Sequence, residues 1–534
     1  MTKFLMTTAL VLSFAAPVAA ATVAEGDVLA DKQEYRFWRL DAQKTLDPQK
    51  SNGKDDAQVL RQLFEGLMVD DGNGAMQPGV ATEYTVSDDK TVYTFKLRPE
   101  AKWSNGDPLT ANDFVFAWRR LADPATASEY AWFMELMNVA NATEVVKGEV
   151  PPDQLGVKAI DDHTLEVTLK SPTPHFEKTL AFTSTLPVPQ KVVEEFGDDW
   201  TTPEHIVGNG AFIMESHNFG VDLTMVPNPE YWDKDNVILD KLVAVTVNDD
   251  NIALTRYQAG ELDRTQPPSG QFARLKEEMP DQAVARPYAC TYGYLLNLTD
   301  TGNPAVQDQK IRRALALAVD RDVLVNQVLQ GGQKPAYGWT NEAIEGFTMP
   351  ELEIAQMSQA DRLTEAKAIM EEAGYSASKP LKLELMYNTS EEHKKIAIVV
   401  QQMWKQIGVD LVLNNLEWKV YSDRMTSQQY EVVRSGWCAD YNEASSFLDY
   451  FRSTGYNVGK YNSEAYDAMM DKSKASDDPA VEYAEAERIL AADVPYVPLY
   501  QYTKVDLIKP YVKGLPENNV MDSWYGKDVY ITEH

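Results

Sequence analysis

Residues 381–413, LKLELMYNTSEEHKKIAIVVQQMWKQIGVDLVL, constrain the fold more than any other segment. An apolar strand pattern leads into Thr389 and Glu392, which have capping-box spacing, and then into a helical pattern. Gly408 suits the end of that helix, and a second strand pattern follows. YEVVRSG (430–436) reads as a further strand. A series of strands joined by a helix favours a parallel sheet, and therefore the α/β class.

The N-terminal half carries a different pattern. TVYTFKL (91–97) alternates between apolar and polar positions, as a strand does. LTANDFVFAWRRL (109–121) opens with Thr110 and Asp113 at capping-box spacing before an apolar helix. HTLEVTLKSP (163–172) is a second alternating strand. These elements predict a small α+β lobe.

The first residues, MTKFLMTTALVLSFAAPVAAAT, predict a secretory signal peptide, with a buried N-terminal helix as the alternative. Lys3 supplies the positive start, residues 4–16 are apolar, and cleavage is expected near Ala20-Ala21. No cysteine follows the apolar run, and no later segment has the ~18 apolar residues of a membrane span. The mature protein is therefore expected to be free in the periplasm.

Charge and length limit the partners and the domain count. The formal net charge of −31 repels phosphate backbones and anionic lipids, so nucleic acid and membrane surfaces are poor partners. After removal of residues 1–21, the length at ~150 residues per domain suggests three domains.

Enzyme and metal signatures are missing from the sequence. There is no G-x-S-x-G elbow, H-E-x-x-H, Walker loop or G-x-G-x-x-G. The six histidines are scattered without metal-ligand spacing. The sequence therefore predicts no catalytic residue, metal or cofactor, although a hydrolase without these motifs, or a chaperone-like protein, remains an alternative.

Two cysteines, Cys290 and Cys438, in an exported chain suggest one disulfide. It would close a loop of roughly 150 residues and stabilise the fold by about 4–5 kcal/mol in the chain-entropy model. Two unrelated buried thiols are the alternative.

Polar and aromatic residues cluster where predicted strands end. His393 lies in the first turn of the helix after one strand, and Arg434, Trp437 and Asp440 lie at the end of another. Ligands of open α/β sheets bind outside the carboxyl ends of the strands, so these residues are expected at one rim. Alternatively, Trp437 belongs to the core, Asp440 caps the following helix and His393 is simply exposed.

Several segments carry a family resemblance along essentially the whole mature chain. AKWSNGDPLTANDFVFAWRRLADPATASEYA (101–131) resembles the signature segment of the peptide-binding class of extracytoplasmic solute-binding proteins. Four further segments resemble the oligopeptide-binding branch of that class: RSGWCADYNEASSFL (434–448), PYACTY (287–292), LMYNTSEEHKK (385–395) and PNPEYW (227–232).

The resemblance implies an α/β two-lobed clamp with an additional small α+β domain, closing on its ligand by a hinge motion. It also implies capture of peptides in the periplasm and delivery to the inner-membrane permease subunits of an ABC importer, by a monomer without catalysis. The domain limits expected from it are a discontinuous first lobe of 22–64, 190–289 and 508–534, a small domain of 65–189, and a second lobe of 290–507.

The resemblance also assigns roles to individual residues. Asp440 matches the family aspartate that receives the peptide α-ammonium, while Gly436 and Cys438 offer backbone groups to an extended peptide. A Cys290–Cys438 bridge would fix this segment to the next strand. The remaining matches are to carboxylate, pocket and closing positions: Arg434 and His393 for the peptide carboxylate, Asn388 near His393, Trp418 and Trp437 as pocket walls, and Tyr130 and Tyr502 as residues that close over the ligand.

Two positions depart from the family pattern. Gly293 replaces a bulkier aromatic residue, and Leu295 replaces a glutamate that lines a pocket. DRTQPPSG (263–270) also departs from the usual stretch. The departures leave backbone capture intact but do not fix the preferred peptide length or side chains. They also allow a narrower ligand such as a murein tripeptide.

Overall fold

The structure is a computed structural model that describes residues 10–12, 23–72, 74–474, 476 and 478–534. Most of the predicted signal peptide lies outside these residues. Within the described residues, no helix combines the length and apolar character needed to cross a membrane.

The largest sheet contains eleven strands among the described residues and combines parallel and antiparallel pairs. Its strands, in spatial order, are Val409–Leu416, Leu381–Asn388, Val432–Cys438, Ala283–Leu296, Tyr496–Ile508, Arg264–Thr265, Glu34–Arg39, Lys241–Thr246, Asp222–Pro227 and Phe212–Asn218, with Lys334–Pro335 paired beside Tyr496–Ile508.

A second sheet and two short ribbons complete the β structure of the described chain. The second sheet is antiparallel, in the order Leu10–Leu12, Ala81–Val86, Val92–Leu97, Thr164–Thr168 and Val157–Asp161. The ribbons pair Met68–Asp70 with Met76–Pro78 and Val512–Lys513 with Tyr530–Ile531.

Helices are interspersed with these strands along the described chain. The α-helices are Lys54–Leu63, Ala111–Ala122, Phe133–Leu136, Ala142–Val146, Phe176–Thr179, Gln190–Phe196, Asp250–Gln258, Phe272–Glu278, Gln309–Leu317, Arg321–Val323, Glu353–Gln356, Gln359–Glu372, Glu391–Lys405, Trp418–Thr426, Ser445–Leu448, Glu464–Lys474 and Ala480–Asp493. A π-helical turn spans Leu324–Leu329. Short 3₁₀ turns are Pro124–Thr126, Pro152–Gln154, Thr183–Thr185, Gly197–Thr201, Lys234–Asn236, Pro304–Gln307, Asp449–Phe451 and Gly526–Asp528.

The helix caps test the local sequence predictions. The capping box of Thr110 and Asp113 is confirmed, and the Thr110 backbone N–H donates to Asp113 Oδ2 at 2.7 Å. The predicted cap at Thr389 is wrong by one residue. Ser390 is the N-cap of Glu391–Lys405, because its side chain accepts the backbone N–H of His393.

The predicted parallel arrangement is confirmed. Strand Leu381–Asn388 pairs in parallel with Val409–Leu416 on one side and with the start of Val432–Cys438 on the other. That last strand extends further than expected. Arg434 lies within it, as the pattern in 430–436 predicts. Trp437 also lies within it rather than after its end, and Asp440 follows it.

Two long antiparallel strands, Ala283–Leu296 and Tyr496–Ile508, run through the middle of the large sheet. Their register shifts between Pro287 and Thr291, so each strand contributes one paired stretch to either half of the sheet. The expected limit between residues 289 and 290 falls inside the first strand. The domain limits stay a prediction.

Candidate functional site

A cavity of about 250 Å³ lies where four parts of the chain meet. Residues 51–54 and the helix Lys54–Leu63 form one wall, and Tyr130 and Phe182 come from the part of the chain that holds the small sheet. Helix Trp418–Thr426 and the segment 434–440 form the opposite wall. Segments hundreds of residues apart in sequence therefore share this site.

Strand Val432–Cys438 presents an unpaired backbone edge to the cavity. Its inner side pairs with Ala283–Leu296 along its whole length. On its outer side, among the described residues, the ladder with the neighbouring strand includes only Val432 and Val433. The edge beyond Val433 is therefore available to another extended chain.

Backbone alternation shows which groups point outward. The Ala439 N–H donates to Ala289 O in the neighbouring strand at 2.8 Å. Successive residues of a strand point their N–H and C=O groups to opposite sides. Gly436 and Cys438 therefore direct their backbone groups away from that strand, and both residues line the cavity.

Asp440 lies just beyond this edge, and part of its carboxylate is unpartnered. Its Oδ1 accepts the Tyr130 hydroxyl at 3.3 Å, and its backbone N–H donates to Ser446 Oγ at 2.7 Å. Oδ2 is buried and has no hydrogen-bond partner. Burial raises the pKa of the Asp440 carboxyl above its ordinary range, against the opposing effect of the nearby Lys54 charge. A buried carboxylate oxygen in this state favours a cationic partner.

Arg434 lies at the other end of the same edge. Its Nη2 donates to the Tyr502 hydroxyl at 2.8 Å, and its guanidinium lies 4.8 Å from the centre of the Tyr292 ring. Its Nε is buried without a partner. Among the described residues no carboxylate pairs with this guanidinium, so the site offers a cation at one end and an anion at the other.

Aromatic side chains form the walls between these two charges. Trp437 is buried, donates its indole N–H to Ser446 O at 2.7 Å and packs edge-on against Tyr450 at 4.8 Å between ring centres. Trp418 stacks on Tyr421 at 5.6 Å. Such walls accept apolar and aromatic side chains without requiring a particular hydrogen-bonding pattern.

The predicted disulfide is confirmed. Cys290 and Cys438 lie opposite each other in the ladder between the two strands and are joined, 148 positions apart in sequence. The bridge covalently fixes the segment that carries Asp440 to the centre of the large sheet.

The cavity gathers most of the predicted site residues. Those that line it are Tyr130, Trp418, Arg434, Gly436, Trp437, Cys438, Asp440 and Tyr502.

His393 and Asn388 lie outside the cavity lining. His393 is buried, and its Nδ1 lies 3.4 Å from the Tyr292 hydroxyl. Burial and the charge of Arg434 lower the pKa of His393 well below its ordinary value, so its imidazole is neutral. Asn388 is buried with its Oδ1 unpartnered. His393 therefore lies near Arg434 and Tyr292 but outside the cavity lining.

The two departures noted in the sequence also lie away from the cavity lining. Leu295 is fully buried in the hydrophobic core. A Cβ at Gly293 would come within 2.2 Å of Val497 O, so no side chain fits there without rearrangement. The replacement of a glutamate by Leu295 therefore does not change the charge of this cavity.

Sequence reasoning missed one wall of the site. Lys54, Ala57 and Arg61 come from helix Lys54–Leu63 and face the cavity. Their spacing of three and seven residues places them on one helix face, which is the signal that could have identified them together. Nothing in the local sequence indicates that this face meets Asp440.

Comparison with known proteins places the chain in context. The family described as bacterial extracellular solute-binding proteins, family 5 Middle, matches residues 75–458. The periplasmic murein peptide-binding protein MppA of Escherichia coli K12 is 42% identical over 523 residues, covering 96% of each chain.

Two solved structures show which arrangement of the lobes this chain adopts. Haemophilus influenzae OppA in complex with the peptide RPPGFSPFR is 39% identical and superposes with a TM-score of 0.91, over 95% of this chain and 100% of that one. The unliganded open form of MppA is 40% identical but has a TM-score of only 0.68, over 96% and 99%. The lobes therefore lie together as in the peptide complex.

Proposed function

The chain belongs to the bacterial extracellular solute-binding proteins, family 5, and from that premise we propose that it captures short peptides in the periplasm and delivers them to an ABC importer. It acts as a monomeric binding protein without catalysis. The observation that carries the proposal is the buried, unpartnered Oδ2 of Asp440 beside an unpaired strand edge.

The peptide α-ammonium is bound by Asp440. The ammonium supplies the hydrogen-bond donor that the buried Oδ2 lacks. Charge-assisted hydrogen bonds of this kind contribute about 1.5–3 kcal/mol each. Because every unmodified peptide has this group, the contact is independent of peptide sequence.

The peptide backbone adds a strand to the edge at Gly436 and Cys438. Main-chain hydrogen bonds then supply affinity, while alternate side chains project against the aromatic walls. This mode requires an edge that no protein strand occupies, as the outer side of Val432–Cys438 provides.

The peptide carboxylate is bound by Arg434. Asp440 lies six positions after Arg434, a span of about 20 Å in an extended chain. Both side chains reach inward from the ends of that span, so the space between them suits a peptide of a few residues. His393 and Asn388 act from outside the cavity lining by fixing Tyr292 and the strand end.

Contacts from the other parts of the chain close the site. Tyr130 reaches Asp440, and its ring lies 6.0 Å from that of Tyr456. Lys178 donates to Asn442 O at 3.0 Å and pairs with Glu345 at 2.9 Å. These contacts hold the clamp shut around the ligand.

A murein-derived peptide is a second candidate ligand, favoured by the 42% identity to MppA. Competition between cell-wall peptide fragments and ordinary tripeptides separates the two candidates. Native mass spectrometry of the protein as purified from its own periplasm identifies a retained ligand directly. A retained non-peptide molecule, together with no calorimetric response to tripeptides, would overturn the proposed function.

Arg434→Met tests the carboxylate contact. We expect the dissociation constant of Ala-Ala-Ala to rise about tenfold, or about 1.4 kcal/mol. The C-terminally amidated peptide, which has no carboxylate to lose, is expected to bind the variant and the parent protein within twofold of each other. Equal losses for both peptides would assign Arg434 a purely structural role.

The pH dependence of binding tests the state of Asp440. Burial raises the pKa of its carboxyl in the free protein, whereas the bound ammonium requires the ionised form. Binding therefore releases a proton, and affinity falls as the pH decreases below that raised pKa. Above the ligand α-amino pKa, about 7.7–8.0, affinity falls again because the ammonium loses its charge. Calorimetry at pH 6 in two buffers of different ionisation enthalpy should show proton release, and no dependence on buffer would contradict this account.

A further inference from the structure

We propose that the cavity selects peptides carrying an additional carboxylate near their amino end, and that Lys54 and Arg61 bind it. This inference rests on the proposed peptide capture and names the class of peptide that the same site prefers.

The charge of the cavity is opposite to the charge of the protein. The whole chain carries a formal net charge of −31. The ionisable lysine, arginine and acidic residues that line the cavity are Lys54, Arg61, Arg434 and Asp440. Three cations against one carboxylate give the cavity a net charge of +2. A zwitterionic peptide has no net charge, so its binding leaves this surplus uncompensated.

Lys54 and Arg61 form one cationic face. They are seven residues apart on helix Lys54–Leu63, and Ala57 between them also lines the cavity. Seven residues correspond to two helical turns, or about 10 Å along the axis. The small side chain of Ala57 leaves room between the two cations.

The protein supplies Arg61 with no partner. Arg61 is only 9% exposed, and its guanidinium makes no hydrogen bond or salt bridge with any described residue. Asp70 lies in the adjacent small pocket, and its Oδ1 accepts the Gly72 backbone N–H at 2.6 Å. A buried guanidinium with free donors favours a carboxylate, which it can bind through two parallel hydrogen bonds.

The ammonium of Lys54 also makes only weak interactions with the described residues. Its ammonium donates to Met521 O at 3.4 Å and lies 5.8 Å from the centre of the Tyr288 ring. Burial and the charge of Arg61 lower the pKa of Lys54, whereas the charges of Asp440 and Asp522 raise it.

Asp522, whose charge acts on Lys54 from outside the cavity lining, has other partners. Asp522 pairs with Arg264 at 2.8 Å, with Arg286 at 2.7 Å and with Lys504 at 3.0 Å. It is therefore already surrounded by cations. A ligand carboxylate would give Lys54 a negative partner that these three cations do not share.

The positions of Lys54 and Arg61 determine at which peptide position a carboxylate is favoured. Lys54 and Arg61 both influence Asp440 electrostatically, so they lie near the site of the peptide α-ammonium. Two cations beside an incoming ammonium oppose its binding unless a ligand carboxylate lies between them. A Glu or Asp side chain at the first or second peptide position supplies that group.

Calorimetry with matched peptides tests the inference. The protein is denatured, freed of retained ligand and refolded, and then titrated at pH 7 with Ala-Glu-Ala, Glu-Ala-Ala, their Gln-containing counterparts and Ala-Lys-Ala. At least one acidic peptide is expected to bind about tenfold more tightly than its Gln counterpart, and Ala-Lys-Ala is expected to bind more weakly than either. Lys54→Met should reduce the acid preference to below threefold.

Two controls make the result specific. Lys405→Met removes a charge from an exposed helix end outside the cavity lining and should leave the preference intact. Arg61→Lys keeps the charge and should retain part of the preference that Arg61→Met loses. Equal affinity for acidic and Gln-containing peptides in the parent protein would overturn this inference and leave peptide capture standing. Failure of all the tripeptides to bind would overturn the proposed function, and this inference with it.

Discussion

Replacing Asp440 by Asn is expected to raise the dissociation constant for tripeptides at least 100-fold, or about 3 kcal/mol, while the fold stays intact. The substitution keeps the shape of the side chain and the acceptor for Tyr130, whose hydroxyl lies 3.3 Å from Oδ1. It removes the negative charge that the peptide ammonium requires. Isothermal calorimetry measures the loss, and an unchanged affinity would refute the anchor role.

The stability of the Asp440→Asn variant separates binding from folding. Burial raises the pKa of this carboxyl in the folded state, so ionising it costs stability, and that cost grows as the pH rises through the window between the ordinary pKa and the raised one. A neutral Asn does not incur this cost. We therefore expect a melting temperature equal to or above that of the parent protein at pH 7.

Matched ligands and a matched variant complete this test. An N-acetylated tripeptide has no ammonium and should bind the parent protein as weakly as the free peptide binds the variant. Asp410→Asn removes a charge from an exposed position outside the cavity lining and should not change the affinity. Equal binding of acetylated and free peptides would show that the ammonium is held elsewhere.

The double substitution Cys290→Ala and Cys438→Ala is expected to lower the free energy of unfolding by about 4–5 kcal/mol. The bridge closes a loop of 148 residues, so its removal frees a large part of the unfolded chain. Equilibrium denaturation of the parent protein, the double variant and the reduced parent protein measures the effect. The reduced protein and the double variant should agree.

The same variant should also weaken peptide binding, but less than Asp440→Asn does. The antiparallel ladder around position 438 persists without the bridge, since Thr291 and Tyr292 still pair with Trp437 and Gly436. An unchanged unfolding midpoint would show that the ladder alone fixes this segment.

Local sequence patterns determined the local structure of this protein. The alternation in 381–388 and the helical spacing in 391–405 specify a strand and a helix, because side-chain periodicity fixes which face of each element is buried. The capping box at Thr110 needs only residues within one helical turn. The sequence predicts the cap at Thr389, one residue before the observed cap at Ser390. Thr389 and Ser390 offer equivalent hydroxyls, and only the backbone conformation selects between them.

The function was accessible from the sequence only through family resemblance, which pointed to Asp440, Arg434 and Trp437. The residues alone allowed Trp437 to be core and Asp440 to be a helix cap. The first alternative describes part of what the structure contains, since Trp437 is buried. The second is wrong, because Ala444 is the N-cap of the following helix Ser445–Leu448.

Tertiary structure alone decided which groups share the cavity. It brought Lys54 and Arg61 against Asp440, left the outer edge of Val432–Cys438 unpaired, and placed His393 and Asn388 outside the cavity lining. The physical reason is the distance along the chain over which each effect acts. Periodicity and capping act over a few residues, whereas a cavity forms where distant segments pack, and its charge balance is set by side chains that no local pattern connects.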